Sequence, residues 1–111
     1  MFYYCSQLTS LDVSNFDTSN VTNMDSMLYN CSQLTSLDLS NFDTSKVTNM
    51  EYMFGSCESL SSLDLSSFDT SKVNSANYMF SSVPSSCKIY IGKGFTLTKS
   101  DTSFRGSFTR K

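Results

Sequence analysis

The chain has 111 residues, 39% of them hydrophobic, with ten acidic and eight basic side chains, enough for one small domain. No apolar run approaches the ~18 residues that a membrane span requires, and Met1-Phe2-Tyr3-Tyr4-Cys5 has neither the basic region nor the apolar stretch of a signal peptide. Residues 1–82 carry nine acids but only Lys46 and Lys72 as bases, an acidic body that would repel nucleic-acid phosphates, whereas residues 83–111 carry Asp101 and six bases.

Cys5, Cys31 and Cys57 lie 26 residues apart and mark three gapless units, CSQLTSLDVSNFDTSNVTNMDSMLYN, CSQLTSLDLSNFDTSKVTNMEYMFGS and CESLSSLDLSSFDTSKVNSANYMFSS. The first two agree at 19 of 26 positions and the second two at 17 of 26. Repetition this dense marks an array in which each unit buries its apolar face against its neighbours. Met1 falls where Met27, Met53 and Met79 fall, so the chain begins inside a unit and is expected to belong to a longer array. Position 83, where the next cysteine would stand, is Val83.

Within the second unit, Leu34, Leu37, Leu39 and Phe42 follow L-x-x-L-x-L-x-x-F, and the alternation Leu37-Asp38-Leu39 predicts a short strand buried on one face. Asp43-Thr44-Ser45 predicts a turn, because such side chains bond nearby backbone amides. Val47, Met50, Met53, Phe54 and Cys57 have helical spacing, with Thr48 and Glu51 as a capping box, matched by Thr22 and Asp25 in the first unit and more weakly by Asn74 and Asn77 in the third. Each unit therefore reads as strand, turn and short helix. Residues 1–82 form the three units, residues 83–95 a divergent closing strand, and residues 96–111 a basic, loose tail.

The phrases LTSLDLSNFDTSKVTNM and EYMFGSC resemble the BspA-like leucine-rich-repeat surface proteins of bacteria over residues 1–82, and Cys87-Lys88-Ile89-Tyr90-Ile91-Gly92-Lys93-Gly94-Phe95 resembles the strand that closes such arrays. The resemblance implies an α/β leucine-rich-repeat solenoid, with short parallel strands on one face and short helices or helical turns on the other. It also implies a cell-surface or secreted protein that adheres to a protein partner, such as a host matrix or cell-surface protein.

Stacking turns each repeated position into a ladder. Asp12, Asp38 and Asp64 sit between inward leucines, so with Ser10, Ser14, Ser36, Ser40, Ser62 and Ser66 they form a polar concave stripe, the candidate ligand-binding face. A row of carboxylates reads first as a solvated face with serine hydrogen bonds, and second as a Ca²⁺ or ligand stripe. Asp17, Asp43 and Asp69, each followed by Thr-Ser, read as local caps. A flat array of Thr18, Thr44 and Thr70 could in principle order water. The cysteine ladder reads as buried free thiols, with no C-x-x-C and no histidine to suggest zinc, and Cys87 is the best disulfide partner if one exists. Tyr3, Tyr29, Tyr52 and Tyr78 break the repetition and could carry partner specificity. Met24, Met27, Met50, Met53 and Met79 read as core. The sequons at Asn20 and Asn30 read as incidental.

Nothing points to catalysis. Histidine, the commonest general base, is absent, no nucleophile motif occurs, and Gly92-Lys93-Gly94 is too short for a phosphate loop. No cofactor and no metal site are expected. The sequence predicts a non-catalytic binding module, with a structural stalk or a Ca²⁺-stabilised solenoid as alternatives.

Overall fold

The computed structural model describes Thr9, Val13 and residues 16–111. Its organising element is a four-stranded, all-parallel sheet of β1 (Ser36–Asp38), β2 (Ser62–Leu65), β3 (Lys88–Ile91) and β4 (Phe108–Arg110), in that spatial order. The sole helix among the described residues is the four-residue α1 (Lys99–Thr102). The first pairings keep the 26-residue pitch: Leu37 lies beside Leu63, and Leu63 beside Ile89. Identical units can pair in register only when the same position recurs at the same place in each strand, which is what the repeat supplies.

Alternation then decides which side is dry. Leu37, Leu63 and Ile89 are buried, as are Leu39, Leu65 and Ile91, while Asp38, Asp64 and Tyr90 between them point away from the core. The other wall of the core is made by Met50, Met53, Phe54, Cys57, Met79 and Phe80, all fully buried. The methionine stripe is therefore core, as its spacing predicts.

The expected helices over these methionine positions do not form. The amides of Met24, Ser26, Leu28 and Asn30 donate to the carbonyls of Asn49, Glu51, Met53 and Gly55 in the next unit, and those of Met50, Tyr52, Phe54 and Ser56 repeat the pattern onto Ser75, Asn77, Met79 and Ser81. The intervening amides of Met53, Gly55 and Cys57 turn back onto carbonyls three residues earlier. A helix would need every amide for itself. Here half of them stitch neighbouring units together instead, and left-handed residues at Ser26, Tyr52 and Tyr78, and again at Asn30, Ser56 and Ser82, end each turn after one cycle. The proposed capping boxes are likewise absent. Asn23 and Asn49 Oδ1 accept the amides of Asp25 and Glu51 at 2.8 and 2.9 Å, forming Asx turns.

The threonine ladder faces inward, not toward ordered water. Thr18, Thr44 and Thr70 are buried, and each hydroxyl bonds the backbone of the following layer. The neighbouring aspartates cap their own turns as expected: one oxygen of Asp17, Asp43 and Asp69 accepts the amide of Ser19, Ser45 and Ser71. Cys31, Cys57 and Cys87 are buried, and Cys87 forms no disulfide; Cys5 lies outside the described residues.

Residues 96–111 are not a loose tail. Thr98 and Asp101 form a reciprocal capping box that starts α1, with Thr98 Oγ1 accepting the Asp101 amide at 3.1 Å and Asp101 Oδ2 accepting the Thr98 amide at 2.9 Å. Phe104 and Phe108 then pack with Phe80 and Phe95, at ring separations of 5.3 to 5.9 Å, and close the end of the core. The closing strand is thus β4, paired to β3 with Ile89 beside Phe108, and not the 83–95 segment. Gly92 lets the chain after β3 lie close against the preceding unit: a Cβ there would sit 2.2 Å from the Ser66 carbonyl oxygen.

Candidate ligand-binding face

Outward positions of a parallel sheet form rows across the strands. One row here is Asp38, Asp64, Tyr90 and Thr109, and the row beside it is Ser36, Ser62 and Lys88. Of the nine residues expected to form the face, Ser36, Asp38, Ser40, Ser62 and Asp64 line one broad, shallow groove of about 710 Å³. Ser66 does not line the groove but donates its amide to Asp64 Oδ1 at 2.9 Å. Ser10, Asp12 and Ser14 lie outside the described residues.

The carboxylates are shaped by their own strand ends. Asp38 Oδ1 accepts the Ser40 amide at 2.9 Å, and hydrogen bonds from the Ser40 side chain and backbone hold its carboxyl below the ordinary range. Asp64 Oδ1 is tied in the same way to Ser66, while Oδ2 meets Lys111 Nζ at 2.7 Å. The Lys111 ammonium, then the Ser66 bonds, lower the Asp64 carboxyl to about 2. Lys111 also lies over the Tyr90 ring, 5.3 Å from its centroid. Among the described residues no group of three or more metal-ligating side chains comes together.

Tyr90 and Lys111 complete the groove and were not expected there. A signal existed for Tyr90: one further unit of 26 from Asp64 lands on it, and Ile89-Tyr90-Ile91 repeats the alternation of Leu63-Asp64-Leu65. Lys111 gave none, because β4 follows β3 at a spacing unlike the repeat.

The tyrosines form a separate feature, with Tyr52 and Tyr78 exposed and Tyr29 half-buried. Tyr52 and Tyr78 stack at 5.2 Å between ring centres, and Tyr29 meets Tyr52 edge-on at 5.8 Å, packing also over Gly55. They pack laterally on one another. Tyr3 lies outside the described residues.

Residues 1–91 match the family described as Mycoplasma protein of unknown function, DUF285. The chain belongs to this family. The DUF285 match covers all three repeats and β3, the part of the chain that builds the groove apart from Lys111. No curated protein and no solved structure matches the chain. No helix among the described residues is long and apolar enough to cross a membrane.

Proposed function

We propose that this chain is a BspA-like leucine-rich-repeat solenoid, part of a longer array at the cell surface or secreted, whose sheet face binds another protein without catalysing a reaction. The observation that carries the reading is the row Asp38–Asp64–Tyr90, set in register on a parallel sheet and flanked by Ser36, Ser40 and Ser62. A regular sheet face offers repeated polar contacts over a wide area, and arrays gain by multivalency.

The test is direct binding of the immobilised chain to soluble host matrix proteins, alongside an Asp38→Asn/Asp64→Asn double variant. Binding that the double variant loses supports the reading. Binding to none of the proteins, or binding indifferent to both substitutions, favours a stalk. A Ca²⁺-stabilised array would instead show a higher melting temperature at millimolar Ca²⁺.

A further inference from the structure

The sheet face already holds a cation, and it belongs to the chain itself. Lys111 reaches back from the end of β4, its amide anchored to the Ile91 carbonyl at 2.8 Å, and lays its ammonium between the Asp64 carboxylate and the Tyr90 ring. A carboxylate beside an aromatic face is a general ammonium-binding arrangement, combining charge with cation–π attraction. The Lys111 side chain keeps 51% exposure, so it rests on the groove without being locked into it. One strand away, Asp38 presents a second outward carboxylate in register with Asp64 and, among the described residues, with no salt bridge.

We propose that this groove takes lysine side chains from an extended segment of a protein partner, and that Lys111 occupies the site until the partner displaces it. The inference rests on the reading of this face as a binding surface. The carboxylate geometry selects lysine over arginine. Asp38 and Asp64 each have Oδ1 engaged by the amide two residues on, so an incoming cation is met through Oδ2, the oxygen by which Asp64 holds Lys111. A guanidinium fork needs both oxygens to bind in two-pronged fashion, whereas an ammonium is a point charge that one oxygen satisfies. Spacing agrees: adjacent strands put the two carboxylates roughly 5 Å apart, and alternate side chains of an extended peptide lie roughly 7 Å apart, a difference that flexible lysine stems absorb. Serines Ser36 and Ser62 supply neutral polar partners beside the row. The acidic balance of residues 1–82 draws a basic segment toward the face.

The experiment titrates the peptide acetyl-Gly-Lys-Gly-Lys-Gly-amide into the full chain at low salt and follows backbone amide shifts. Three peptides are compared: lysine, arginine and ε-acetyl-lysine. Shifts confined to residues 36–40, 62–66, 90 and the displaced end of β4 at 109–111, with binding strongest for lysine and lost on acetylation, are expected. Lys111→Ala should bind the lysine peptide about two- to fivefold more tightly, the range set by removing one exposed ion pair. Asp64→Asn, an exposed change that leaves the core alone, should abolish the gain. Equal binding of the acetylated peptide, no gain in Lys111→Ala, or shifts elsewhere on the molecule would overturn the proposal. If matrix proteins bind the immobilised chain yet lysine peptide fails to compete, the lysine inference falls while the binding reading stands; if neither binds, both fall.

Discussion

Thr44 and Asp69 are joined twice across neighbouring units. The Thr44 hydroxyl donates to the Asp69 carbonyl at 3.0 Å and accepts the Asp69 amide at 2.8 Å. Thr18 makes the same pair with Asp43, and Thr70 closes the column by accepting the Thr96 amide at 2.9 Å. Each buried hydroxyl therefore satisfies two backbone groups that no strand pairing reaches. Thr44→Val keeps the shape and removes both bonds, so it should cost about 1–3 kcal/mol, the penalty for buried polar groups left without partners. Thr44→Ser, which keeps the oxygen, should lose less. Urea unfolding of the two variants separates these outcomes.

Leu37 stands in the column with Leu63 and Ile89. It is buried, as are its cross-strand neighbours. Leu37→Asp would place a charge in the dry interior shared by all units, at a cost of several kcal/mol. Against a typical total of about 5–15 kcal/mol for a domain, that is enough to unfold a chain this small. Far-ultraviolet circular dichroism and a lost melting transition would register it. A folded, cooperative variant would show that this position faces water.

The thiols make a third expectation. Cys57 is fully buried and its Sγ donates to the Leu28 carbonyl at 3.1 Å. Burial, followed by the neighbouring Cys31, pushes the Cys57 thiol up to about 12, and burial takes Cys87 to about 11. Only the thiolate attacks a disulfide reagent. Cys31, Cys57 and Cys87 should therefore resist an aromatic disulfide reagent at neutral pH in the native chain, and react at once in concentrated urea. Rapid native reaction of more than one thiol per chain would contradict their burial.

How far these features could be read from residues alone varied with the kind of signal. The Leu37-Asp38-Leu39 alternation has period two, which a strand alone produces, so the sheet, its inward leucines and the outward aspartates were legible. Met50, Met53, Phe54 and Cys57 misled because helical spacing also arises from consecutive four-residue turns, each ended by a left-handed residue. The residues ending them, Tyr52 and Ser56, are not glycine, so nothing in the sequence announces the turns. Thr44 reads as a cap until a neighbouring unit is set beside it. In the tail, Thr98 and Asp101 do carry a capping-box spacing, but the basic composition around them hid it. The groove was legible at Asp38 and Asp64, and it extends to Lys111 through a contact between residues 47 positions apart, which no local pattern encodes.

The acid side of the stability profile follows from the same carboxylates. Asp64 is lowered from 3.8 to about 2, and Asp17, Asp38, Asp43 and Asp69 are lowered by hydrogen bonds from the serines two residues on. A carboxyl with a depressed folded-state value stays ionised in the fold while the unfolded chain takes up its proton. Its contribution is therefore complete above the unfolded value near 3.8, and it is lost as the pH falls through the folded value. The melting temperature should stay nearly level from neutral pH down to about 5, then fall steeply below 4. Asp64 is 36% exposed, so solvent and salt screen its bond to Lys111 and its own share is small. Asp64→Asn should lower the melting temperature slightly at pH 7, by an amount that shrinks in high salt, and by less at pH 2, where the wild-type carboxyl is giving up its charge. Thermal melts of both chains across pH 2 to 7 at two salt concentrations measure this, and a wild-type decline centred above pH 5 would assign acid sensitivity to other groups.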